Sequence, residues 1–412
     1  MQPMAQRILA SLENPGELEA LYRQDPEAFR EAFGPATRPA ADSPTVRVWE
    51  ARLGYSRPAL GSDQRRLWLA LALGAAAGLL VRVPALWLGD EWYYPRLGPS
   101  LVLLSLAAYF WLTRNDRRGL LAGLLAVAAV AAYTFVLPDY TDSVAMALVH
   151  LPVLLWGMVG MAFAGGDWRD PGHRIRFLRY NGELLILGSL VALGGIVFSG
   201  LTVGLFELAA ENSGEWYVQN IGIMGVAAVP VVATYLYDVV FRRHTGIAPV
   251  LARVFAPLFL VMTTTYVAVA LLGGRNPFLD REFLIIVNGL LLVVLGMTVF
   301  SIAERGESAR AGWIDLVNVA LLVVTLLLDL IALSAILFRL TSYGFTPNRV
   351  VVLGANLVIM AHLAWTCRGY IRLIRGRGDA TAVRRAVTGY LPVYLAWAAL
   401  VAFVLPVVFR FA

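Results

Sequence analysis

The chain has 412 residues, 59% of them hydrophobic and only 15% charged, with a net charge of +6. Soluble domains carry about 25% charged residues, so this much apolar surface does not fit one globular core and the class is a multi-pass membrane protein. There is no Lys, which excludes a P-loop phosphate site and a Schiff base, and the single Cys367 excludes an internal disulfide and a multi-Cys metal centre.

Residues 1–64 are polar and punctuated by helix starts. Asn14-Pro15 begins one helix, with Asn at the cap and Glu17 placed to close a capping box. Asp25-Pro26 begins a second, with Phe29 and Phe33 on one face and Gly34 as its stop. Ser43-Pro44 begins a third, with Val46, Trp49 and Leu53 on one face and Gly54 after it. The reading is a cytosolic module of three or four short helices. It is too small for a strong core of its own, so it is expected to dock on the membrane domain or on a cytosolic protein partner.

Residues 65–412 hold about eleven apolar runs of near-spanning length: 67–88, 97–112, 119–137, 143–164, 182–208, 218–241, 249–272, 282–303, 313–339, 349–372 and 387–409. The second is the shortest. Without water at that depth each must be a helix. The fold class is therefore an all-α polytopic membrane bundle with a small helical N-terminal module.

The connections alternate in charge. Arg65/Arg66, Arg114 to Arg118, Arg169 to Arg179, Arg242/Arg243, Arg305/Arg310 and Arg368 to Arg385 form one set. Asp90/Glu91, Asp139/Asp142 and Glu207/Glu211/Glu215 form the other. The positive-inside rule then gives a cytosolic N-terminus and an outer C-terminus. Gly200 and Gly204 on the fifth run, and Gly160 with Ala164 on the fourth, predict close helix contacts.

Ionisable groups inside apolar runs are the best pointers to function. Asp329, in "LLLDLIALSAILFRL", is the deepest carboxylate, and the next run carries Asn356 and His362. By the helical rise His362 falls within about two turns of the same depth. An Asp329–His362 pair would suit a proton relay; the plain alternative is a buried Asp satisfied by a neighbouring polar side chain. Asp238, Glu183 and Asp315 lie near the Arg-rich boundary, where charge balance explains them.

The outer side should be poor in Arg, yet it carries Arg82, Arg96, Arg275, Arg281, Arg339 and Arg349, with Glu91 and Asp280 among the acids nearby. Read together they are an outer vestibule for an anionic group or lipid headgroup; the plain alternative is a set of salt bridges bracing loops. The four histidines are scattered and no metal-ligand spacing is present, so neither a metal nor a cofactor is expected. No hydrolase triad, HExxH or nucleic-acid module occurs, which makes an enzyme the weaker reading.

Five segments also carry a resemblance: "ELEALYRQDPEAFREAF", "VWEARLGY", "EWYYPR", "NPFLDREFLIIVNGLLLVVLGMTVFS" and "YGFTPNR". They resemble a bacterial multi-pass family catalogued as domain of unknown function 4153. The resemblance spans nearly the whole chain and implies a bacterial inner-membrane protein. It implies no reaction, substrate or catalytic residue. Two functions follow from the residues: permeation of a proton, ion or small solute through Asp329, or a membrane sensor or scaffold acting through residues 1–64. The bilayer is the expected partner in both, and nucleic acid in neither.

Overall fold

The structure is a computed structural model that describes the chain apart from residues 1–3, 38–39, 41–42, 55–59, 139, 166, 208–212, 242–246, 273–277, 279–280 and 305–311. Among the described residues every regular element is helical, so the protein is all-α as predicted. The chain divides into two compact units, Met1–Trp68 and Leu69–Ala412.

The first unit contains α1 (Met4–Ala10), α2 (Pro15–Gln24), α3 (Pro26–Thr37) and α4 (Pro44–Gly54). Asn14 caps α2 by accepting the Glu17 N–H at 3.3 Å. The reciprocal half of the predicted box does not form, because the Asn14 N–H already donates to the Ser11 carbonyl at 3.0 Å. Gly34 does not stop α3, which continues to Thr37. There the Thr37 hydroxyl donates to the Phe33 carbonyl at 2.7 Å and satisfies a group the helix end would otherwise leave open. Ile8, Leu18, Leu21, Phe29, Phe33, Val46 and Trp49 form the core of this unit. Burying each such side chain stabilises by about 1.5–3 kcal/mol. On its surface Arg52 lies over the Trp49 ring at 4.5 Å and donates to Glu19 at 3.2 Å.

The second unit begins within α5 (Leu60–Arg82) and continues through α6 (Ala85–Leu88), α7 (Asp90–Thr113), α8 (Arg117–Val136), α9 (Asp142–Ala164) and α10 (Pro171–Glu207). One continuous helix follows: α11 (Ser213–Tyr217), a π-helical turn at Val218–Gly222, α12 (Ile223–Tyr235) and a second π-helical turn at Leu236–Val240. Then come α13 (Ile247–Leu272), α14 (Arg281–Ala303), α15 (Trp313–Tyr343) and α16 (Pro347–Ile374). The last are α17 (Ala380–Ala399), a π-helical turn at Leu400–Val404, and α18 (Leu405–Val408).

Ten helices among the described residues are long and apolar enough to cross a membrane. The remaining predicted run, 249–272, lies in α13, whose described apolar stretch is Val254–Ala268. Several helices are longer than the apolar runs that announced them. α7 starts at Asp90 rather than Leu97, with Pro95 and Pro99 inside it. α10 starts at Pro171 and α17 at Ala380, where Asp379 accepts the Ala382 N–H at 2.8 Å. The Arg-rich connections are therefore partly helix ends. Gly165, at φ +70°, and Gly344, at φ +80°, close α9 and α15 in a conformation side chains with a Cβ avoid.

Two large cores hold this unit. One, rich in aromatics, joins α7, α9, α10 and α12 around Tyr109, Phe110, Phe163, Phe177 and Tyr180. Gly160 belongs here: a Cβ on it would strike the Trp168 and Phe177 rings, so its small size does permit close packing. The other core joins α14, α15, α16 and α17 around Leu291, Leu322, Ala332, Leu363 and Val387. The predicted contact at Gly200 and Gly204 is absent. No described atom comes within 4 Å of a Cβ placed on either, because the surrounding part of α10 faces outward, with Leu193, Ile196, Val197 and Leu201 exposed.

Candidate functional site

Asp329 lies in the second core, 0% exposed, on the face of α15 that also buries Thr325, Leu328, Ala332 and Ile336. Neither of its carboxylate oxygens has a hydrogen-bond partner among the described residues, and neither does the Thr325 hydroxyl one turn away. Asp329 stands about 15 Å from Arg339 and about 16 Å from Asn318 by the helical rise, midway between the two polar ends of its helix. A charge at such depth costs about 2.5–3.5 kcal/mol unless something meets it.

The predicted partner faces elsewhere. The His362 Nδ1 is paired with the Tyr394 hydroxyl at 2.8 Å, and its ring stacks on Tyr390 with centroids 4.5 Å apart. No ion pair joins it to Asp329, because the imidazole is turned toward α17. Its Nε2 has no partner among the described residues. Asn356 is buried and donates to the Asn288 Oδ1 at 2.9 Å. Asn288, within the apolar "IIVNGLLLVV" of α14, was not among the predicted site residues; a polar amide inside a spanning run is the signal that would have found it.

Polar groups continue along this core toward both ends. On the Arg-rich side, the Asn318 amide donates to Ser301 Oγ at 3.1 Å and to the Tyr370 hydroxyl at 3.3 Å. Asp315 there accepts the Gly312 N–H at 2.7 Å and caps α15. On the opposite side, a cavity of about 400 Å³ opens between α9, α14, α15 and α16. Arg339, Asn348, Arg349, Asn288 and Asp142 supply its polar lining, and Ile336 is its deepest α15 residue. A second cavity of about 570 Å³ at the Arg-rich end is lined by Arg368, Arg372, Arg375, Arg377 and, deepest, Leu326. Asp329 lines neither: it is sealed between Ile336, about two turns to one side, and Leu326, about one turn to the other.

The predicted vestibule divides into separate groups. Arg82 is braced by Asn220 at 3.0 Å and by Asp90 and Tyr94, each at 3.1 Å. Arg96, 3% exposed, donates to the carbonyls of Thr134 at 3.2 Å and Pro138 at 2.9 Å, under the Trp92 ring. Both are structural clamps and neither lines the Arg339 cavity; Glu91 is exposed and also outside it. Among the described members only Arg339 and Arg349 meet there. Arg275, Asp280 and the Arg281 side chain lie outside the described residues. The cavity's acid is Asp142, which sequence placed only in the outer acidic set.

Two further groups are accounted for. Asp238 accepts from the Tyr109 hydroxyl at 3.3 Å. Asp167, Asp170 and His173 bring ligand-type atoms within 4.8 Å of one another, a grouping that sequence spacing did not reveal. Asp170 is the cap of α10: it accepts the Gly172 N–H at 3.0 Å, which holds its carboxyl below the usual carboxylate range, and faces the His173 Nδ1 at 2.9 Å. The cluster is thus explained by the helix start.

No family model matches this chain, and no curated protein or solved structure does either.

Proposed function

We propose that the protein is a membrane permease or transporter in which Asp329 carries a proton, or binds a cation, between the Arg339 cavity and the Arg372 cavity. One observation carries this reading: a fully buried carboxylate, unpartnered among the described residues, placed at the middle of a polar stripe between two cavities. Asp238 and Asp315 have hydrogen-bond partners, and Asp329 has none among the described residues. Thr325 adds a second polar oxygen beside it. The sealed state fits an occluded intermediate, in which access alternates between the two ends as α15 shifts against its neighbours.

The Arg distribution supports a cytosolic Arg372 end and an outer Arg339 end. The resemblance to the bacterial multi-pass family supports an inner-membrane location. The test uses full-length protein in liposomes holding a pH-sensitive dye. Wild type should dissipate an imposed proton gradient faster than Asp329→Asn and than empty liposomes. Equal rates in all three would sink the reading.

A second reading keeps one observation of its own: residues up to Trp68 form a compact unit with a separate aromatic core. Such a unit suits a sensor or scaffold that holds a cytosolic protein. Purification from native membranes with and without residues 1–60 tests it; an unchanged set of partners would rule it out.

A further inference from the structure

The Arg339 cavity has the features of an oxyanion site independent of Asp329. Arg339 stands near the end of α15 and Arg349 in the first turn of α16, so two guanidinium groups approach from different helices. Each is anchored by backbone. The Arg339 Nε donates to the Phe278 carbonyl at 3.1 Å, and the Arg349 Nη1 donates to the Tyr343 and Gly344 carbonyls at 2.8 Å each. Those bonds hold the side chains in place, and the Arg349 guanidinium also lies over the Tyr343 ring at 5.7 Å; neither group forms an ion pair among the described residues. Asn348 adds an amide, also without a partner among the described residues.

The helices themselves add to the field. α9, α14 and α16 all begin around this cavity, and Asp142 and Asn348 belong to two of the first turns. Helix N-termini favour negative charge. Asp142 is the exception to the cationic lining, and as the first residue of α9 it complements that helix's dipole. Two Arg against one Asp leave one net positive charge on the described lining, which matches a monoanion. Two forks from different directions suit a tetrahedral group, whose oxygens point both ways, better than a planar carboxylate held by one fork. Apart from Asn288 and Thr346 the remaining described walls are apolar, Leu284 and Ile285 among them, and Ile285 is 60% exposed. A ligand with an apolar stem can therefore leave the cavity toward the bilayer.

We propose that this cavity binds a singly charged phosphodiester, held by Arg339, Arg349 and Asn348. The same chemistry reaches the site from two sources, a phospholipid headgroup or a water-soluble phosphodiester. The test is calorimetric titration of full-length protein in neutral detergent with two probes: dihexanoyl-phosphatidylglycerol, and glycerophosphoglycerol, which keeps the phosphodiester and lacks the acyl chains. Arg339→Gln/Arg349→Gln should weaken binding at least tenfold. Arg117→Gln/Arg118→Gln, which removes two exposed charges elsewhere, should leave it unchanged. Arg349→Lys keeps the charge and loses the fork; it should weaken binding severalfold, and it serves as the readout should the double variant fail to fold.

Binding of the acylated probe alone supports a lipid headgroup, and equal binding of both supports a soluble ligand. The proposal is overturned if neither probe binds, or if the Arg339/Arg349 variants bind as tightly as wild type. Because the cavity excludes Asp329, Asp329→Asn should bind the probes normally even where proton flux is lost, so the two proposals fail separately.

Discussion

Tyr180 and Asp329 are both sealed inside the same membrane unit, one in each large core, and their surroundings differ. The Tyr180 hydroxyl meets Thr234 Oγ1 at 2.7 Å, and nearby Tyr109 meets Asp238 while Trp156 donates to Asn181 at 2.8 Å. Around Asp329 the carboxylate, the Thr325 hydroxyl and the His362 Nε2 have no such partners among the described residues. The aromatic core uses polar groups as fasteners. The α14–α17 core has fasteners too, Asn318 with Ser301 and Tyr370 and Asn356 with Asn288, but it also holds these buried polar atoms without a partner among the described residues.

The contrast can be broken by substitution. Arg96→Leu removes a buried cation from two carbonyls, that of buried Thr134 among them, so it should lower the unfolding free energy in mixed micelles by about 3 kcal/mol. Tyr180→Phe removes one neutral bond, while Thr234 keeps its own bond to the Pro230 carbonyl at 2.7 Å. The loss should be about 1 kcal/mol, read by the same denaturation. Asp329→Leu breaks no hydrogen bond among the described residues, so stability should shift by less than about 1 kcal/mol in either direction. A loss of several kcal/mol would mean that Asp329 is a fastener after all.

The smallest effect lies in the first unit. Hydrogen bonds from Arg52 and then Arg23 hold the Glu19 carboxyl below its ordinary value. A carboxyl depressed by folding stabilises above its unfolded pKa, about 4.3, and that contribution disappears as pH falls through the folded value. Amide-exchange protection of residues 15–54 in the full chain should therefore fall modestly below about pH 4, and Glu19→Gln should flatten the dependence. An unchanged slope in Glu19→Gln would show that the ion pair contributes nothing measurable.

The spans were legible because lipid leaves a helix no other backbone solution, so apolar length alone reports them. Their starts were less legible. "DEWYYPR" reads as a loop by its polarity and its Pro95, yet it is helical, with Tyr93 and Arg96 buried against neighbouring segments that the local sequence does not announce. The place of Asp329 along its helix was also legible, since it needs only the rise per residue. Its company was not: whether His362 turns toward α15 or α17 depends on how three helices pack. The arginines separate for the same reason. Arg82, Arg96, Arg339 and Arg349 look alike as exceptions to a charge rule, and only tertiary neighbours divide clamps from cavity. Gly200 and Gly204 show the reverse case, a packing motif that meets no neighbour among the described residues.

Arg96 also bears on the order in which the chain enters the bilayer. α7 is the least apolar of the ten spans, and it carries this cation inside it. The carbonyls that receive Arg96 belong to residues 38 and 42 positions later in the chain. During synthesis α7 therefore emerges before these two acceptors. Both bonds form only once α8 and Pro138 have followed, so they tie the two helices together as a hairpin. A chain that ends at Asp116 has neither of these carbonyls to offer the guanidinium of Arg96.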